Sequence, residues 1–309
     1  MRKPLGSLLA IAVFIAPVTA FTQQEVMVSQ YMFNGLFLNP AYAGTHPYVS
    51  GSLLHRAQWV HVDGAPRTSM FAVDGPLMNN KMGVGLSIVH DQIGVSRDLE
   101  IDGHYSYHLR LGASKLCLGL RAGLSLYSAK LDQLRYWDEN DPAFAQNISN
   151  ELVGKFGFGV YWYDALSYVG LSVPMLYAAD QAVSPEVQTA TGHYFTQHYY
   201  LTAGRVFHLN EYFDLKPSIM VKYQPEAPFE VDLNTHVLYK ERFWFGVGYR
   251  TGDAIVGMIE YKITPYLRAG YAYDMTISEL RGYSQGSHEV MLGVDLGQDV
   301  IKIKTPRYF

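Results

Sequence analysis

Between Leu99 and Leu111 the chain alternates with a period of two. Leu99, Ile101, Gly103, Tyr105, Tyr107, Leu109 and Leu111 fall on one side, and Glu100, Asp102, His104, Ser106, His108 and Arg110 on the other. That is a strand with one dry face and one wet face. The pattern recurs at Lys115–Ser128, where Leu116, Leu118, Leu120, Leu124 and Leu126 alternate with Cys117, Gly119, Arg121, Gly123 and Ser125. It returns at Phe229–Tyr239, where Glu230, Asp232, Asn234 and His236 are the wet set. No comparable stretch carries the 3.6-residue spacing of an amphipathic helix.

The alternation predicts strands at 48–56, 66–75, 81–91, 97–111, 115–128, 155–163, 166–174, 194–207, 214–223, 229–239, 242–250, 254–262, 265–275 and 288–297. Many approach the roughly 9–11 residues that a tilted strand needs to cross a bilayer. The links then sort into two classes. Those after odd-numbered strands include 57–65, 129–154, 175–193 and 276–287, whereas 76–80, 112–114, 164–165, 208–213, 240–241 and 263–264 are short. Long loops on one side and tight turns on the other are the habit of outer-membrane barrels, and a soluble sandwich has no reason to follow it. The chain therefore reads as an all-β, antiparallel transmembrane barrel of about 14 strands, with oily faces against lipid and charges toward a lumen. Tyr48, Tyr163, Tyr223, Tyr239 and Tyr266 near strand ends are placed for an interfacial girdle.

The ends refine the domain plan. Arg2 and Lys3, the apolar run Leu8–Ile15 and the small residues at 18–20 read as a secretory signal peptide over 1–20. Residues 21–47 form an aromatic segment, expected to plug the barrel or cover its periplasmic mouth, because Met27, Tyr31, Met32, Phe33, Leu36, Phe37 and Leu38 are too apolar for a solvated linker. The barrel is expected over 48–297 and a periplasmic tail over 298–309, where Pro306 would interrupt a strand.

Composition trims the list of functions. Net charge is −4 over 309 residues, with 17% charged and 14% aromatic residues and one cysteine. A basic footprint for nucleic acid is missing, and so are the common hydrolase, phosphate-loop and zinc signatures. The pairs at Gly83 and Gly85, Gly157 and Gly159, and Gly246 and Gly248 lie inside strands on the polar face, where they relieve crowding. Glu100, Asp102, His104, His108, Arg110, Arg121, Glu230, Asp232 and His236 are candidate lumen charges, either a hydrogen-bonded filling or a selectivity field. His104 and His108 stand about 13 Å apart along one strand, too far to share a metal, and no cofactor is expected.

Two longer stretches carry a family resemblance. S-Q-Y-M-F-N-G-L-F-L-N-P-A-Y-A-G (29–44) and R-A-Q-W-V-H-V-D-G-A-P-R-T (56–68), with N-D-P-A-F (140–144), Y-V-G-L-S-V-P (168–174) and P-R-Y-F (306–309), resemble the PorP/SprF family of the Bacteroidetes type IX secretion system. Gly35 stands where many of these proteins have proline, and His61 where glycine is common. The resemblance implies a non-enzymatic outer-membrane component that docks or retains secreted cargo, of adhesin type with a C-terminal sorting domain. It also implies periplasmic ring and lipoprotein partners, and a link to gliding motility. On that resemblance the partner-contact candidates are Gln30, Tyr31, Asn34, Asn39, Pro40, Tyr42, Gly44, Gln58, Trp59, Asp63, Gly64, Pro66, Asp141, Pro142 and Phe144. The competing reading from the residues alone is a passive diffusion channel, since about fourteen strands can enclose water.

Overall fold

A computed structural model describes residues 26–133, 147–180, 197–225 and 227–297. Its strands are β1 (Val49–Ala57), β2 (Arg67–Leu77), β3 (Met82–Ile93), β4 (Ser96–Leu111), β5 (Ser114–Ala129), β6 (Ile148–Tyr163), β7 (Ser167–Asp180), β8 (Tyr199–Arg205) and β9 (Phe207–His208). They continue with β10 (Phe213–Tyr223), β11 (Glu230–Tyr239), β12 (Phe243–Arg250), β13 (Ala254–Lys262), β14 (Leu267–Thr276) and β15 (Ser287–Leu296). Each pairs antiparallel with its neighbours in one sheet, and β8 and β9 lie in line against β10, so the segments make fourteen staves. The first and last strands close the ring, from Val49 opposite Leu296 to Ala57 opposite His288. Among the described residues the sheet thus closes on itself, as hydrocarbon requires of any sheet that crosses it.

The alternation sets the two faces. Along β4, Asp102, His104, Ser106 and His108 are buried, while Ile101, Tyr105, Tyr107 and Leu109 are exposed on the outside. Leu53, Leu120, Leu171, Val247 and Leu292 likewise stand outward on other strands. The interior is polar: Arg56, Lys216, His236, Gln30, Glu289, Asp102 and Asp274 are among the largest fully buried side chains. This reversal of a soluble core is what lipid on the outside demands.

Turns 78–81, 112–113, 164–166, 209–212, 240–242 and 263–266 gather at one end, here the hairpin end. The opposite, loop end carries the links 58–66, 94–95, 251–253 and 277–286, and faces outward by the barrel rule. Both termini of the barrel, at Val49 and Leu296, lie at the hairpin end.

The structure departs from the sequence expectation in a few places. β6 begins at Ile148 and β7 runs to Asp180, both well past the expected bounds. The pairing shifts between Phe156 opposite Tyr177 and Phe158 opposite Val173, so a bulge around Pro174 lets β7 continue where proline's missing N–H would have ended a regular ladder. Val206 separates β8 from β9 because its N–H turns to the Leu166 carbonyl at 2.7 Å. Tyr48 and Tyr163 are not in a girdle: Tyr48 stacks on His46 inside the barrel, and the Tyr163 hydroxyl donates to the Thr45 carbonyl at 3.1 Å. Tyr223 and Tyr266 do face outward. The expected signal peptide and C-terminal tail lie outside the described residues.

Depth dependence tests the lipid face. Leu120→Arg, near mid-strand on the outer face, should destabilise the barrel by about 2–4 kcal/mol, and Ser128→Arg near the loop end by about 0–1 kcal/mol. Denaturant unfolding and refolding in lipid vesicles measures the difference. Equal costs at both positions would show that Leu120 does not face hydrocarbon.

Candidate functional site

Residues 26–47 run through the lumen. Met27 lies 3.7 Å from Lys222 of β10 near the loop end, and Thr45 meets Tyr163 at the hairpin end, just before Tyr48 leads into β1. The segment therefore reaches well beyond the periplasmic mouth. It contains three single-turn 3₁₀ helices, Tyr31–Phe33, Gly35–Phe37 and Pro40–Tyr42. Asn39 caps the third, accepting from the Ala41 N–H at 2.9 Å, with Pro40 preset at its first position. Gly35 is needed because a Cβ there would come within 2.6 Å of the Tyr42 ring.

Turns this short leave backbone groups unsatisfied, and the lumen wall supplies their partners. Ser106 Oγ donates to the Ala43 carbonyl at 2.6 Å, and His108 Nε2 is 3.1 Å from the same oxygen. Asp74 accepts from the Gly44 N–H at 2.8 Å. Asn39 Nδ2 donates to the Val160 carbonyl at 3.0 Å, Asn34 pairs with Ser52, and Asn234 Nδ2 donates to the Tyr31 hydroxyl at 2.8 Å. Of the glycines on the wet face, Gly83, Gly85, Gly119 and Gly159 mark where plug and wall touch. An added Cβ would stand 1.9 Å from the Ala43 oxygen at Gly83 and 2.0 Å from the Ala41 nitrogen at Gly119. A cavity of about 30 Å³ lies between plug and wall, lined by Tyr31, Tyr42, Tyr161, Tyr168 and Thr202.

Near the loop end the plug is clasped by charge. Arg56 of β1 meets Asp274 of β14 at 2.7 Å and Glu289 of β15 at 3.2 Å. Arg250 of β12 meets Asp232 at 3.1 Å and Asp274 at 3.4 Å. The two Glu289 oxygens accept the Ser29 and Gln30 N–H groups, each at 2.8 Å, and Ser29 Oγ lies 2.8 Å from Asp274. Five staves and the plug thus share one buried network. Removing one partner of such a group strands its opposite charge, at a cost of about 3–5 kcal/mol, so a loose fit here is disfavoured.

The sequence candidates separate into sets. Glu100, Asp102 and Arg121 form a second network, joined by Lys155, which pairs with Glu100. His104 lies 2.8 Å from Ser87 Oγ. Glu230 and Asp232 belong to the Arg250 cluster, while His236 packs edge-on against Phe33 with centroids 5.6 Å apart. Arg110 shares the inward parity of β4 and is exposed, one residue from the strand's end. Gln30, Tyr31, Asn34, Asn39, Pro40, Tyr42 and Gly44 are all in the plug. Gln58, Trp59, Asp63, Gly64 and Pro66 sit in the β1–β2 loop instead. There Gln58 N–H donates to the Pro66 carbonyl at 3.0 Å, and the Gly64 carbonyl accepts from Gly94 at 2.8 Å. Asp63 is exposed, and Trp59 N–H is held by Ser287 Oγ at 3.1 Å. Asp141, Pro142 and Phe144 lie outside the described residues. The candidates omitted Ser29, Arg56, Arg250, Asp274, Glu289 and Lys155. All but Ser29 were findable, since each sits on the wet parity of its strand.

Comparison with known proteins adds the following. The family model described as "Type IX secretion system membrane protein PorP/SprF" matches residues 20–294. No curated protein sequence matches the chain. Among solved structures, the chain is similar to the outer membrane protein Omp33 of Acinetobacter baumannii, at 9% identity and TM-score 0.46, covering 81% of this chain and 99% of that one. It is similar to the toluene transporter TbuX of Ralstonia pickettii at 9% identity and TM-score 0.46, covering 86% and 92%. It also resembles the outer membrane phospholipase A from Escherichia coli at 12% identity and TM-score 0.39, covering 84% and 96%.

Cys117 reports on plug seating. It is fully buried at 0% exposure in the cluster that includes the plug residues Tyr42 and Ala43. A charged maleimide should leave the folded wild type unlabelled. Gly119→Val should push Ala41 away and raise the labelling rate by at least about tenfold, the effect of about 1.4 kcal/mol on the open population. Unchanged labelling in the folded variant would mean that Gly119 does not set the contact.

Proposed function

Because the chain belongs to the PorP/SprF family of type IX secretion system membrane proteins, we propose that it is a non-enzymatic docking barrel rather than a conduit. It is an outer-membrane protein whose work lies at its two rims. The loop end receives or retains secreted cargo, and the hairpin end meets the periplasmic ring and lipoprotein parts of the machine. The observation that carries this reading is the filled lumen. A diffusion channel needs a continuous aqueous path, whereas here residues 26–47 occupy the bore and are hydrogen-bonded to the wall from Ser29 to Thr45.

The plug also connects the two rims. Its ends are fixed at the Arg56–Asp274–Glu289 cluster near the loop end and at Thr45 and Tyr163 near the hairpin end. A partner that pulls on either end acts on an element that touches both. The charge networks of the wall serve as anchorage for this element, not as a reaction centre. Through Nε2, His104 bonds to Ser87, and His108 bonds to Ser106 and the plug backbone.

Deleting residues 26–47 should leave a barrel that still inserts, visible as a heat-modifiable band on a gel, while cargo no longer reaches the surface or medium. Normal cargo export by an assembled deletion variant would contradict the docking role of the plug.

A further inference from the structure

The outer surface near the loop end is uneven around the ring. On β8, β10, β12 and β14 the outward positions there carry tyrosines, with Tyr199, Tyr223, Tyr249, Tyr271 and Tyr273 all exposed. This is the girdle expected where hydrocarbon gives way to head groups. On the adjoining strands β15 and β1–β4 the same height carries hydrogen-bond donors and positive charge. The register aligns them in two rows: His288, Ala57, Arg67, Gln92 and Arg97 lie opposite one another in turn, and below them His55, Ser69 and His90. Arg67, Arg97, His55 and His90 are exposed. With strands spaced about 4.8 Å apart, Arg67 and Arg97 are about 10 Å apart and can close on one group between them.

Two contrasts single out this face. The inward arginines Arg56, Arg121, Arg250 and Arg268 are all paired with carboxylates. Arg67 and Arg97 have no ion pair among the described residues, and the carboxylates nearest them along the strands, Asp91 and Asp98, lie on the inward parity. Beneath the rows the outer face is apolar at once, with Leu53, Leu86 and Ile101 exposed. Guanidinium forks recognise phosphate by paired hydrogen bonds. A phosphate held there would have its acyl chains against those leucines.

We infer that the β15–β4 face, centred on Arg67 and Arg97, binds the phosphate-bearing head group of an outer-leaflet glycolipid. The anion is delivered by lipid rather than free in solution, because the basic rows continue directly into the acyl-facing surface. His55, Ser69, His90 and Gln92 supply further hydrogen bonds to the head group. The barrel would thus carry a fixed lipid at one side of its circumference and a plain aromatic boundary at the other.

The test uses the purified full-length chain in mild detergent, with lipid A as probe and binding read by native mass spectrometry. Lipid A should remain bound to the wild type, and its apparent Kd should weaken at least tenfold in R67Q/R97Q. Dephosphorylated lipid A should bind the wild type as weakly as lipid A binds that variant. R67K/R97K, which keeps the charge but loses the fork, should fall between, and R110Q at the hairpin end should bind as wild type. Inorganic phosphate at equal concentration should not compete. Wild-type affinity in a folded R67Q/R97Q chain, equal binding of both lipids, or competition by inorganic phosphate would each overturn the inference.

Discussion

A strand in hydrocarbon has no water to satisfy its N–H and C=O groups, and the pairing of β1 with β15 answers that constraint for the whole molecule. Once the ring closes, every strand has one face against lipid and one against the bore. Leucine and tyrosine must therefore stand outside, and charge must go inside. The interior then becomes the demanding part of the structure. Arginines and carboxylates withdrawn from solvent need partners at hydrogen-bond distance, and the wall alone does not supply them all.

The plug completes that account. Glu289 spends its oxygens on Arg56 and on two backbone N–H groups of residues 29–30, and Asp274 is shared between Arg56, Arg250 and Ser29. The same logic operates at the hairpin end, where Ala43 and Gly44 complete the bonding of Ser106, His108 and Asp74. Tyr31, Phe33 and Tyr42 fill the middle with aromatic contacts, and Lys216 lies over the Tyr168 and Trp244 rings at 5.6 and 5.8 Å. Plug and wall are thus one packed unit.

The staves were largely legible because lipid enforces strict alternation, and each slip in a period of two exposes a charge to hydrocarbon. β4, expected over 97–111, runs from Ser96 to Leu111, so only its first residue was missed. Legibility failed where another constraint intervened. The expected strand stopped at Pro174, whereas β7 continues past it through a bulge. Tyr48 and Tyr163 had the composition of girdle residues, and it took the plug at His46 and Thr45 to draw them inside. The clasp was half visible: Asp232 lay on a recognised wet face, but its convergence with Arg56, Asp274 and Glu289 depends on which distant strands become neighbours. Periodicity along one strand does not carry that information. The glycines at 83 and 119 illustrate the same limit, since alternation assigned their face but not the backbone they admit.

The central claim is that the bore is occupied by the chain's own residues. Recording ionic current through the purified full-length protein in a planar bilayer tests it directly. The account predicts insertion without a steady open level, because the segment from Ser29 to Thr45 lies in the bore and is hydrogen-bonded to the wall. A large, stable, ohmic conductance from the intact chain would contradict it.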